Sequence, residues 1–189
     1  MKKIVVLIIA LFVSLSLSAA SNRIGVSVAP EWTWYSGNEG KADFIFMAEG
    51  ANHFGGKHSL GVEYGLGVSF PFGDWSGNSK ASAYGFVFKA GPSYRYEISS
   101  TMGFSLSAGV NGVVQAHDSD TIRVFTLDAY GSVSVDFSFM EFLCLDVGVM
   151  AGGTVFSDAS AIGDSGNSAD GDAFSRVFFA PFAVFSYRY

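Results

Sequence analysis

An eight-stranded, antiparallel, up-and-down transmembrane β-barrel is the all-β fold class that this sequence predicts, on three observations. The first is a strict alternation of polarity in two neighbouring segments. Leu60, Val62, Tyr64, Leu66, Val68, Phe70 and Phe72 fill even positions against Gly61, Glu63, Gly65, Gly67 and Ser69. After a turn-forming run from Gly73 to Lys80, Tyr84, Phe86, Phe88, Ala90, Pro92, Tyr94 and Tyr96 alternate with Gly85, Val87, Lys89, Gly91, Ser93 and Arg95. The second is length and facing: each segment exceeds the roughly 9 to 11 residues a tilted strand needs to cross a bilayer core. A soluble barrel also alternates, so the polar face decides. It is mostly Gly, Ser and Ala, which suits a cramped interior, and the apolar face carries no charge, as expected where a midplane Lys or Arg costs about 2 to 4 kcal/mol. The third is composition. Nineteen Phe, 23 Gly and only 15% charged residues, against about 25% in a typical soluble domain, accompany the absence of any membrane-helix-length apolar run after the first segment.

That first segment, residues 1–20, has the parts of a secretory signal peptide: Lys2 and Lys3, an apolar stretch from Ile4 to Val13, and the small residues Ser18, Ala19 and Ala20 at a cleavage site. No Cys follows the apolar stretch to carry a lipid anchor. Export then leaves residues 21–189 as one barrel domain in the outer membrane of a two-membrane bacterium. The formal charge of −6 becomes more negative once the leader's lysines are gone, which argues against nucleic acid as a partner.

The first strand, about 23–34, puts Ile24, Val26, Val28, Pro30, Trp32 and Trp34 on one face and Gly25, Ser27, Ala29, Glu31 and Thr33 on the other. Trp32, Trp34 and Tyr35 gather at its end as interfacial aromatics, and Trp75 is a further one in the loop after strand three. The second strand, about 43–54, is less regular: Phe44, Phe46, Ala48, Gly50 and Phe54 share a face with Asn52, and Ile45 and Met47 turn inward. Gly55, Gly56 and Lys57 form a tight turn into strands three and four. Strand five turns Phe104, Leu106, Val110 and Val114 outward, and strand six does the same with Phe125, Leu127, Val133, Val135 and Phe137. Strand seven places Leu143, Leu145, Val147, Val149, Ala151 and Val155 outward and Cys144, Asp146 and Met150 inward. A long acidic connection, 157–172, leads into the last strand, about 173–189, whose outward face carries Val177, Phe179, Pro181, Phe185, Tyr187 and Tyr189. Short even-numbered connections and longer odd-numbered ones match periplasmic turns and external loops with both termini inside.

With this strand count and alternation, nearly all of residues 22–189 resembles the small outer-membrane barrels of the OmpA/OmpX type. The ending Phe185-Ser186-Tyr187-Arg188-Tyr189 looks like that family's signal for the outer-membrane assembly machinery, with Tyr where Phe is commoner at the terminus. No peptidoglycan-binding domain follows the barrel. The resemblance implies a monomer that meets outer-membrane lipids, is inserted by that machinery, and binds any extracellular ligand through its loops.

Parity sends Glu31, Glu49, Glu63, Lys89, Arg95, Asp128, Asp136, Asp146, Arg176 and Arg188 into the lumen. Mixed signs in so narrow a bore predict a network that fills and registers it. A hairpin centred on Ser76 sets Glu63 opposite Lys89, in a cross-strand salt bridge.

Catalytic chemistry finds little support. His117-Asp118-Ser119 resembles the His-x-Ser pair of outer-membrane lipid A deacylases, but the flanking residues are Asp rather than Asn and no orienting carboxylate completes a triad. A solvated loop accounts for it. His53 and His58 flank a turn as interfacial residues rather than metal ligands. Asp158, Asp164, Asp170 and Asp172 lack the spacing of a calcium loop, and Cys144 is the only Cys, so no disulfide forms within the chain. No metal or cofactor is expected. The functional expectation is a non-enzymatic outer-membrane barrel with a structural or surface-interaction role through its loops. The alternatives are a narrow OmpW-like porin or conduit for small or hydrophobic solutes, which inward Ile45, Met47, Phe178 and Val184 favour, and more remotely an envelope lipid-modifying enzyme.

Overall fold

The computed structural model describes residues 21–35, 40–74, 84–117, 122–161, 168–169 and 175–189. The leader at 1–20, Trp75, Asp118 and Ser119, and Asp164, Asp170 and Asp172 lie outside them. The strands are β1 (Ser21–Tyr35), β2 (Gly40–Gly55), β3 (His58–Asp74), β4 (Gly85–Ser99), β5 (Met102–His117), β6 (Ile122–Ser138), β7 (Leu143–Ala161), the two-residue β8 (Ser168–Ala169) and β9 (Arg176–Arg188). Neighbours in sequence pair antiparallel from β1 to β7, β9 closes the ring between β7 and β1, and β8 adds only a short pairing to the end of β7. The result is a closed eight-stranded antiparallel barrel.

Alternation fixes the facing of every wall strand. Val26, Leu60, Leu66, Phe86, Val147, Val177 and Phe185 lie exposed on the outer wall, while Ser27, Lys89, Asn111, Asp128 and Ser186 are buried within. A soluble protein of this size does not leave so continuous an apolar belt to water, so the belt calls for lipid around it. Aromatics crowd its two rims: Trp32 with Phe179, Phe44 with Phe72 and Phe70 with Tyr84 at the end of the longer connections, and Phe142, Tyr187 and Tyr189 at the end of the short turns. The first rim is the loop end of the barrel and the second its turn end.

Four expectations need correction. Tyr35 is not interfacial: it sits at an odd position of β1, is buried, and pairs in register with Arg176. Its aromatic ring suggested a girdle, but strand parity carries it inside. The β3–β4 hairpin sets Glu63 opposite Gly91 and Gly65 opposite Lys89, a shift of two residues from a hairpin centred on Ser76, which preserves every facing because the side-chain period is two. β7 runs on to Ala161 rather than ending near Val155, past a bulge at Val155, opposite Leu127 and Asp128 of β6, that leaves both Val155 and Phe156 exposed on the outer wall. The last strand begins at Arg176, not 173.

Local backbone needs explain two glycine placements. Gly55 opens the β2–β3 turn at φ 122°, a conformation side-chain-bearing residues rarely adopt. Gly65 and Gly67 of β3 leave room inside the wall for the side chain of Met47, which a Cβ at either position would strike.

The closing seam is irregular. Val28 pairs with Ala183 and Trp32 with Phe179, but the β1–β9 ladder is interrupted between them, where Pro30 and Pro181 stand opposite one another and neither has an N–H to give. Replacing both with Val supplies two ladder donors at about 1 kcal/mol each. The P30V/P181V barrel should therefore unfold from lipid vesicles at higher urea than wild type, and more so than either single variant.

Candidate functional site

The interior is the part of this barrel with built chemistry, and it is stacked in layers. At the turn end, Asp136 is fully buried and gathers three guanidinium groups. Arg95 donates from Nε (2.9 Å) and Nη2 (2.8 Å) to its two oxygens, Arg23 donates from Nη2 at 3.2 Å, and Arg188 stands at 3.7 Å. Arg23 also donates from Nη1 to Asp146 at 2.7 Å. Cys144 is buried next along β7, its thiol 3.4 Å from the Ser138 hydroxyl.

One level up, Lys89 binds Glu49 at 2.8 Å and lies 5.6 Å from the centre of the Phe182 ring. The expected Lys89–Glu63 bridge is present only at its limit, and Glu49 is the closer partner of Lys89. Glu63 is reached only diagonally, at 4.0 Å, because the register sets Gly91 and not Lys89 across from it. Glu63 instead accepts from the hydroxyls of Tyr130 (2.6 Å) and Ser107 (2.8 Å), and Glu49 accepts from Ser27 at 2.5 Å.

Above this level the lumen turns apolar. Ala29, Ile45, Met47, Val87, Val113, Tyr130, Met150, Phe178 and Ala180 form one buried cluster, with Phe182 packed against it. It draws on every wall strand except β3, whose glycines admit Met47. Along the contributing strands these residues fall between the polar groups of the two ends, as Ala29 falls between Ser27 and Glu31. A cavity of about 60 Å³ lined by Arg23, His53, Lys89, Asp146 and Phe182 lies on the turn-end side of the cluster. The mouth beyond it, about 430 Å³, is bordered by Arg95, Glu97, Glu141, Arg188 and Tyr189.

At the loop end the polar groups return. Arg176 donates to Asp128 from Nη2 (2.6 Å) and Nε (3.1 Å) and to Glu31 from Nη1 (2.9 Å). Thr154 donates to Asp128 at 2.9 Å and accepts the Arg176 backbone N–H at 3.0 Å. Beside it Lys41 meets Asp43 and the Gln115 carbonyl oxygen, each at 2.6 Å, and the Gln115 amide donates to Asp43 and Ser69.

All ten charged residues named from the sequence thus point inward and join two separate clusters and the level between. Sequence reasoning missed Arg23 and Asp43, which stood at the first positions of the expected strands and were assigned no face, and Lys41, which lay before the expected start of β2; the same parity carried to the strand ends would have found all three. Trp32 and Trp34 lie on the outer wall, as do Phe185 and Tyr187 of β9 and Tyr189 just after it. Among the described residues no group of three or more His, Cys, Asp or Glu is placed to hold a metal ion.

No protein-family model matches the chain, and no curated protein matches it in sequence. Its fold does match solved structures. The Neisserial surface protein A, NspA, superposes with a TM-score of 0.58 at 11% identity, over 89% of this chain and 97% of that one. Ail, the attachment invasion locus protein of Yersinia pestis, gives 0.51 at 8% identity over 89% and 98%. The outer membrane protein OprG from Pseudomonas aeruginosa gives 0.52 at 12% over 90% and 97%. The chain therefore shares the eight-stranded barrel fold of these proteins.

Removing one member of a buried ion cluster strands its partners, at about 3 to 5 kcal/mol. Asp136→Asn should lower unfolding stability in vesicles by that amount, while Glu97→Gln, at the exposed mouth 4.0 Å from Arg95, should cost less than about 1 kcal/mol. Urea titration of both variants checks the contrast.

Proposed function

We propose that the chain is a non-enzymatic outer-membrane barrel whose filled, rigid wall holds its loop end at the cell surface for a structural or recognition role. The observation that carries this is the apolar layer across the lumen, set between two ion-paired clusters. It makes the interior a support rather than a passage, and leaves recognition to the connections, where a rigid scaffold ordinarily carries it. The apolar outer belt supports placement in a membrane. The shared fold with a surface protein and an attachment protein supports the outer one, with the turn end toward the periplasm. Residues 1–20 fit a leader removed on export, and Phe185, Tyr187 and Tyr189 fit a contact for the assembly machinery, their rings exposed on the outer wall.

Planar-bilayer recording and an adherence assay test the proposal together. Wild type should give no conductance steps, whereas Met47→Ala combined with Phe178→Ala, which thins the apolar layer, should give them. Replacing residues 162–167 with a Gly-Ser linker should reduce adherence of bacteria displaying the protein to host-cell monolayers while leaving heat-modifiable migration of the folded barrel intact. Discrete steps in wild type would sink the closed-scaffold proposal, and full adherence after replacement of every loop would sink the recognition role.

A further inference from the structure

We infer that the outer wall around the β2–β3 turn seats the headgroup of an anionic phospholipid in the leaflet at the turn end. The inference rests on the bilayer placement proposed above. Lys57, in the turn, holds its ammonium 5.4 Å from the centre of the Tyr96 ring. The His58 ring lies 4.8 Å from the same ring, and its Nδ1 is 2.6 Å from the Tyr94 hydroxyl. The backbone fixes the arrangement: His58 is the register partner of Tyr96, and the Glu97 N–H donates to the Lys57 carbonyl at 2.8 Å.

Charge selects the ligand. Lys57 makes no ion pair among the described residues, and the acids nearest in sequence on β3 and β4, Glu63 and Glu97, sit at odd positions that face the lumen and its mouth. The other cations of the turn end, Arg23, Arg95 and Arg188, are directed inward to Asp136. In a chain of net charge −6, the cation beside Tyr94 and Tyr96 is thus a local exception on the lipid-facing side. Its ammonium and the Tyr96 hydroxyl are donors suited to the non-bridging oxygens of a phosphodiester. Beyond it the same strands present Leu60 (70% exposed), Leu66 (71%) and Phe86 (72%), bare apolar surface along which acyl chains can lie. One basic side chain at such a surface strengthens binding about fivefold.

Native mass spectrometry of the detergent-solubilised barrel, titrated with phosphatidylglycerol or phosphatidylcholine, tests the inference. Wild type should retain phosphatidylglycerol about fivefold more tightly than phosphatidylcholine. Lys57→Gln should abolish the preference, Lys57→Arg should keep it, and Arg123→Gln, on β6 at the opposite rim, should leave it unchanged. Equal retention of the two lipids by wild type, or an undiminished preference in Lys57→Gln, would overturn the site. So would complete displacement of the lipid by inorganic phosphate at matched ionic strength, which would make it a phosphate site only. Failure of the bilayer placement is separately visible, as loss of insertion into liposomes, whereas failure of this site leaves an inserted barrel that does not choose between lipids.

Discussion

A closed ring of eight strands leaves a bore only about as wide as the side chains that point into it, and each ionised group in that bore must meet a counter-charge or forfeit its hydration. The distribution of large and small residues follows from this constraint. Asp136 can accept Arg95 because Gly103, in the wall beside them, leaves free the space where a Cβ would strike both the Asp136 carboxylate and the Arg95 guanidinium. Glu63 can keep its charge off axis because Tyr130 and Ser107 donate to it. Such pairs contribute little net stability, since desolvation offsets most of the attraction. Their leverage is on register: an even slip of one strand would keep every greasy residue outside but separate Arg176 from Asp128 and Lys89 from Glu49.

The outer wall answers to a different solvent. With no water to compete, a strand there is limited by its own ladder, and the barrel tolerates proline where the missing donor falls between paired strands. Pro92 interrupts the β4–β5 ladder beside Gly91, much as Pro30 and Pro181 interrupt the β1–β9 seam. The rings at both rims and the cation at Lys57 belong to the belt's edges, where an apolar body and a polar tip are both satisfied.

Most of the architecture was legible because one rule, the two-residue period, governs a wall with unlike solvents on its faces. Strand number, facing and the inward course of Glu31, Asp128 or Arg176 all descend from it. What the period does not encode was lost. Bulges such as that at Val155 change the phase without a local signal, so the extension of β7 went unseen. Strand ends hidden among polar residues concealed Arg23, Lys41 and Asp43. The choice of Glu49 over Glu63 as the partner of Lys89 depends on how three strands are staggered, which no single hairpin reveals. Tyr35 shows parity prevailing over residue type, and the apolar layer emerges only when Ala29, Met47, Val113 and Phe178 from distant strands are seen to meet.

That layer divides the protein into two shallow cups set back to back. Lys41, Asp43 and Arg176 lie in one, and Arg23, Arg95 and Asp136 in the other. The two cups share only the wall between them, and its β1–β9 ladder is interrupted at that level, between Val28 and Trp32.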